Sequence, residues 1–164
     1  MALPRLRDVV SDTVMLAVDE GLAPADELRV LQALHMEPSD ERILRRLHRS
    51  GGRDVLGFGI GELVGVLTAV LWVAINEGVR EAVGAATRSG LARLGGWLAR
   101  LFRRPRRVVT VPELTPQQLR VVGNLIVDSL IDAGMPHSEA HVVAELAIGR
   151  IVRSWTDDTA SELD

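Results

Sequence analysis

Residues 63–75 read LVGVLTAVLWVAI and contain no charged side chain. Extended to residues 60–79, the run holds twenty residues, and its only charges are Glu62 and Glu77 near the two ends. A helix of this length reaches about 30 Å, which is the thickness of the hydrocarbon core of a bilayer. The uncharged part is also short enough to be a helix buried inside a globular protein. The run therefore predicts a long apolar helix that either inserts into a membrane or forms the core of the fold.

Small residues recur every four positions through the start of this run, at Gly57, Gly61, Gly65 and Ala69. On a helix this spacing makes one smooth ridge, which lets a second helix approach closely. A loop before the helix is the alternative for residues 57–61, because glycine costs about 1 kcal/mol relative to alanine in a water-exposed helix. The ridge predicts helix packing and self-association of the chain into a homo-oligomer.

Arginines dominate the sequence that follows the apolar run. Apolar residues keep approximate helical spacing from Val79 to Phe102, and arginines occupy other positions among them. This pattern is typical of a basic amphipathic helix that lies in a membrane interface, attracted by anionic headgroups. A surface helix with solvated arginines is the alternative. The residues predicted at the interface are Arg93, Trp97, Arg100, Phe102, Arg103 and Arg104.

The flanking regions predict short helices, and the fold class is therefore all-α. In residues 1–52, apolar residues at three- and four-residue spacing predict a lobe of three short helices. Residues 53–107 hold the apolar helix and the basic amphipathic helix. Residues 106–114 hold Pro112 and a short β-branched run and predict an extended linker, with an edge strand as the alternative. The C-terminal lobe, residues 108–156, predicts an αα-hairpin. Residues 157–164 predict an acidic, frayed tail.

Two signals define the hairpin. Thr115-Pro116-Gln117-Gln118 supplies a capping threonine, a proline at the first helical position and a glutamine three residues after the cap. Gly134 and Pro136 end that helix. The second helix has a predicted buried stripe of Val142, Leu146, Ile148, Ile151, Val152 and Trp155.

Charge and composition narrow the function classes. The net charge is −2 over residues 1–54, +5 over residues 55–107 and −6 over residues 108–164. Both flanks of the apolar run are basic, so the orientation of a membrane span is not resolved.

All basic residues are arginine, which is typical of a GC-rich, bacterial genome. Aromatic residues make up only 3% of the chain, and with no recognisable nucleic-acid fold we expect no nucleic-acid partner. No secretion signal is indicated at the N-terminus.

No catalytic or cofactor site is predicted. The chain has no cysteine, which excludes thiolate chemistry, disulfides and cysteine-based metal sites. His137, His141 and Glu145 follow one another at intervals of four, but this spacing does not match a zinc-protease motif, and a solvated helix surface is the simpler interpretation. No nucleophile elbow is present for serine chemistry. We therefore expect neither an enzyme, nor a bound metal, nor another cofactor.

The favoured hypothesis is a non-enzymatic membrane-associated helical protein, which acts as a scaffold, an anchor or a membrane-perturbing component. Its expected partners are an anionic membrane surface, further copies of itself, and an unknown protein bound through the N- or C-terminal lobe. The expected location is the cytoplasmic membrane, with both lobes in the cytoplasm. The alternative hypothesis is a soluble cytoplasmic adaptor or oligomerisation module whose central helix is its own core.

Overall fold

The computed structural model describes residues 3–49, 65–88 and 108–161. Within these ranges the chain forms six α-helices and no strand, so the predicted all-α class is confirmed. The helices are α1 (Leu6–Asp19), α2 (Glu27–His35), α3 (Asp40–Arg49), α4 (Val66–Arg88), α5 (Pro116–Asp132) and α6 (His137–Ser161).

Local sequence signals set several of the helix ends. Before α5, the Thr115 side chain accepts a hydrogen bond from the backbone N–H of Gln118, whose own side chain accepts one from the Thr115 N–H. This is the predicted capping box. Gly21 and Gly134 follow α1 and α5 with φ angles of +74° and +97°, a left-handed conformation that glycine adopts without strain.

Helix α4 lies at the centre of the core. It packs against α1, α2, α3 and, most extensively, α5. Its Trp72 side chain is only 1% exposed, and Leu71 and Ile75 are fully buried. Buried apolar residues from all six helices join them in one core. Burying a leucine, isoleucine or similar side chain stabilises a fold by roughly 1.5 to 3 kcal/mol, so α4 contributes a large share of the apolar stabilisation.

Gly78 of α4 lies close against Val122 of α5. A Cβ atom at Gly78 would lie 3.0 Å from the Cα of Val122. The buried residues Ala74 and Ala82 lie one turn to either side on α4. Small side chains therefore let the two helix backbones come together, as close helix packing requires.

The stretch between residues 108 and 115 is extended and bound to the start of the chain. The backbone N–H of Leu6 donates to the carbonyl of Val109 at 2.8 Å, and the N–H of Val111 donates to the carbonyl of Pro4 at 2.8 Å. Arg5 and Thr110 thereby form an isolated antiparallel bridge. Val111 is also buried, so this linker is part of the fold's interior.

Helix α6 buries a face that agrees only in part with the predicted stripe: Ile151 is buried, and Ile148 and Trp155 pack against the core in part. Val142 and Val152, placed in the predicted stripe, are 38% and 37% exposed. The buried face consists of Ala140, Val143, Ala144, Ala147 and Ile151. Three alanines give a flat surface that packs closely on α1 and α5, and the larger valines remain outside. The helix also continues to Ser161, five residues into the segment 157–164.

The apolar run at residues 60–79 is described from Gly65 onwards. Across the described ranges, no helix combines the length and the apolar character that a bilayer span requires.

Candidate functional site

The N-terminus of α4 is closed by a buried carboxylate from another helix. Glu27 is the first residue of α2 and is 1% exposed. Its Oε1 atom accepts hydrogen bonds from the backbone N–H groups of Gly65 and Leu67, at 3.2 and 3.0 Å. Its Oε2 atom accepts from the Thr68 N–H at 3.1 Å and from the Thr68 hydroxyl at 2.6 Å. Glu27 thus caps α4 although it lies 38 residues before Gly65.

Physical chemistry explains why a carboxylate is suited to this position. The first N–H groups of a helix have no partner inside the helix, and the helix dipole concentrates positive charge there. A carboxylate satisfies several of these donors together and is favoured by the dipole. Gly65 makes the geometry accessible, because its φ angle of +93° turns the chain just before α4 begins.

A second buried carboxylate, Asp40, stands at the first turn of α3. Its Oδ1 atom accepts hydrogen bonds from the Nε and Nη2 atoms of Arg7, at 3.0 and 2.6 Å. Its Oδ2 atom accepts from the backbone N–H of Val109 at 2.9 Å. Arg7 also donates to the carbonyls of His35 and Glu37, at 3.3 and 2.8 Å. The network joins α1, the α2–α3 turn, α3 and the linker.

The two carboxylates have one arrangement in common. Glu27 binds the chain at Gly65, directly after the segment 50–64, and Asp40 binds it at Val109, shortly after the segment 89–107. We call Glu27 and Asp40 the docking carboxylates. Both belong to the N-terminal three helices, so this unit holds the chain where each of the two segments re-enters the described fold.

The docking carboxylates are poorly placed for acid–base catalysis. The four hydrogen bonds to Glu27 occupy the lone pairs of both its oxygens, and two bonds from a guanidinium occupy one oxygen of Asp40. A general base needs a free lone pair within reach of a substrate proton. Their geometry is suited to accepting hydrogen bonds from backbone N–H groups.

A serine and a histidine also meet near this network. The Ser11 hydroxyl lies 3.0 Å from Nε2 of His35 and donates its own hydrogen bond to the carbonyl of Arg7 at 2.8 Å. With its proton donated to that carbonyl, the Ser11 hydroxyl has only lone pairs to offer Nε2 of His35. In serine hydrolases the hydroxyl donates to the histidine, which is the opposite arrangement.

The described ranges contain no group of three or more histidine, cysteine or acidic side chains placed to hold a metal ion. His137 and His141 do lie together, with ring centroids 4.5 Å apart. Both are exposed at the start of α6, as is Glu145 one turn further along.

Two of the four residues predicted for helix packing lie in the described ranges. Gly65 precedes α4 and donates its N–H to Glu27, and Ala69 lies inside α4 and is buried. Gly57 and Gly61 lie outside the described residues. The predicted membrane-interface residues also lie outside them: Arg93, Trp97, Arg100, Phe102, Arg103 and Arg104.

Sequence reasoning missed the two docking carboxylates. In the sequence, Glu27 and Asp40 are typical of acidic residues in the first turns of their own helices, where they complement the helix dipole. Both do occupy those first turns. Their partners are 38 and 69 residues away, and no local signal indicates such distant bonds.

No protein-family model, no curated protein and no solved structure matches the chain.

Proposed function

We propose that the protein is a non-enzymatic helical adaptor in which α4 is the internal core. The partner binds the outer surface of the N-terminal three helices or of the α5–α6 hairpin. One observation carries this proposal: the described apolar side chains of α4 are buried or partly buried, and other helices of the same chain pack against α4. An apolar helix that is covered in this way has no need of lipid or of a second copy to bury its surface.

The geometry of the polar groups also favours an adaptor over an enzyme. The docking carboxylates are engaged by backbone and guanidinium donors, and the Ser11 hydroxyl points at a carbonyl. These groups hold separate parts of the chain in a fixed arrangement. A fixed arrangement of helices is what an adaptor needs, because binding then requires little ordering of the protein.

A quenching experiment tests whether α4 is internal. In the double variant Trp97→Phe/Trp155→Phe, Trp72 is the only tryptophan and reports on α4 alone. We expect blue-shifted emission that neither iodide in solution nor brominated lipid in added vesicles quenches. Strong quenching by brominated lipid would mean that α4 enters the bilayer, and the proposal would be wrong.

Association with an anionic membrane surface is the second candidate function. Residues 91–107 carry six arginines and no acidic residue, together with Trp97 and Phe102. Such a composition favours a segment lying in the interface at the cytoplasmic face of a membrane. In this arrangement the segment contacts lipid while α4 stays inside the protein.

The matched variant Trp72→Phe/Trp155→Phe tests the second candidate, because Trp97 is then the only tryptophan. We expect brominated lipid to quench Trp97 when the vesicles contain phosphatidylserine and to leave it unchanged when they contain phosphatidylcholine alone. Circular dichroism of both double variants checks that the helices are retained. Absence of quenching in both kinds of vesicle would contradict membrane association and leave the adaptor proposal standing.

A further inference from the structure

Helix α3 has a buried apolar face and an outer face rich in arginine. Ile43, Leu44 and Leu47 are all buried in the core. On the outside, the side chains of Arg42 and Arg45 are 66% and 57% exposed, and Arg46 is exposed beside them. We call Arg42, Arg45 and Arg46 the α3 arginine face.

The acidic neighbours of the α3 arginine face hold it only weakly. Arg42 lies 3.7 Å from Glu37, and Arg45 lies 3.8 Å from Glu41. The Glu37 side chain is 19% exposed and that of Glu41 is 36% exposed, so both pairs lie at the protein surface. Surface ion pairs of this length contribute between 0 and about 1 kcal/mol. In the part of the chain that the structure describes, Arg46 has no ion pair. Exchanging these partners for an external anion therefore costs the guanidinium groups little free energy.

The described fold resumes beside the start of α3. The N–H of Val109 donates to Asp40, the first residue of α3, at 2.9 Å. Val109 follows the sequence Arg103-Arg104-Pro105-Arg106-Arg107 by two residues. In the sequence, a second basic run therefore ends two residues before the contact with α3.

We propose that the α3 arginine face is an electrostatic contact for an anionic lipid bilayer. This inference rests on the second candidate function and adds to it a surface built from described residues. A bilayer is favoured over a nucleic acid because residues 91–102 interleave leucines, Trp97 and Phe102 with the arginines. Apolar side chains of this kind add binding energy in a lipid interface, whereas a phosphate backbone offers them nothing.

Vesicle co-sedimentation of the full chain tests the proposal. An arginine near an anionic surface contributes about 1 kcal/mol, or roughly fivefold in affinity. The triple variant Arg42→Gln/Arg45→Gln/Arg46→Gln should therefore bind phosphatidylserine-containing vesicles roughly a hundredfold more weakly at low salt. The matched control Arg29→Gln/Arg120→Gln/Arg153→Gln removes the same charge from exposed positions on α2, α5 and α6. We expect the control to bind like the wild type.

The possible outcomes separate this proposal from the function on which it rests. If the wild type binds the anionic vesicles and both triple variants bind equally well, the α3 arginine face is not the contact, and membrane association survives. If the wild type does not distinguish phosphatidylserine from phosphatidylcholine vesicles, both ideas are wrong. A duplex DNA fragment is the third probe: tighter binding of the wild type to DNA than to vesicles would overturn the lipid proposal. Thermal unfolding of each variant confirms that the fold is intact.

Discussion

Gly78 and Val122 hold α4 and α5 at a separation that leaves no room for a methyl group. The atom that a new Cβ at Gly78 would meet at 3.0 Å is the Cα of Val122, which belongs to the backbone. A backbone atom cannot rotate away, so the two helices would have to move apart along the largest contact in the fold.

We therefore expect Gly78→Ala to lower the free energy of unfolding by about 1 to 3 kcal/mol, the usual result of overpacking. Gly84→Ala is the matched control in the same helix, because, apart from the helix's own nearby backbone, no atom of the described residues lies within 4 Å of the new Cβ. There the gain in helix propensity should raise stability by up to about 1 kcal/mol. Urea unfolding of both variants checks the pair. Equal stabilisation of both would contradict the close packing.

Removing the charge of Glu27 should loosen the start of α4. Glu27→Gln replaces one acceptor oxygen by an NH₂ group that faces N–H donors, so we expect a loss of about 3 kcal/mol. Amide hydrogen exchange should accelerate at Gly65, Leu67 and Thr68. Glu81→Gln, at an exposed position on α4 itself, should change stability by less than about 0.5 kcal/mol. Unchanged exchange in Glu27→Gln would show that Glu27 is not the cap.

The pair of Arg7 and Asp40 should be strongly coupled. A double-mutant cycle with Arg7→Gln and Asp40→Asn is expected to give an interaction energy of about 1 to 3 kcal/mol, because Asp40 is buried and its Oδ1 atom accepts two guanidinium N–H groups. The exposed pair of Arg29 and Asp26, 3.5 Å apart, is the comparison. Its cycle should give about 0 to 0.5 kcal/mol. Similar energies from the two cycles would contradict the role assigned to Asp40.

Replacing Gln118 by glutamate should lower the stability of the fold, although glutamate is common at this position of a capping box. Its Nε2 atom donates a hydrogen bond to the carbonyl of Ala82 in α4 at 3.1 Å. Gln118→Glu keeps an acceptor for the Thr115 N–H but places a carboxylate oxygen against that carbonyl. We expect a loss of about 1 kcal/mol or more, measured by thermal unfolding. Thr115→Ser, which keeps the cap, should be nearly neutral, and wild-type stability of Gln118→Glu would show that the bond to Ala82 adds nothing.

Helices whose signals are local were predictable from the sequence. The capping threonine before α5, the glycine after it and the apolar spacing of α1 each depend on neighbours within a few residues. The buried edge of α3 follows from Ile43, Leu44 and Leu47 in the same way. Helical periodicity is read directly from sequence in such cases.

Features that depend on a distant partner could not be predicted. Two faces of α6 carry apolar residues, and only the packing of its alanines on neighbouring helices decides that Val142 stays outside. The packing role of Gly78 appears only when Val122 is placed opposite. Whether lipid or protein surrounds α4 likewise depends on how the other helices pack, and the hydropathy of the α4 sequence alone does not contain that information.

The pairing of the first helix with the last has a consequence for how the chain acquires its structure. α1 packs on α6, where Arg150 forms a salt bridge with Asp12 across 138 residues of sequence. During synthesis on the ribosome, the part of α1 that faces α6 is therefore covered only after residue 150 has been made, although α2 and α4 can cover other parts of α1 earlier. Contacts of such long range slow folding and leave surface open to aggregation in the interval. The packing of α1 against α6 is accordingly a late step in folding.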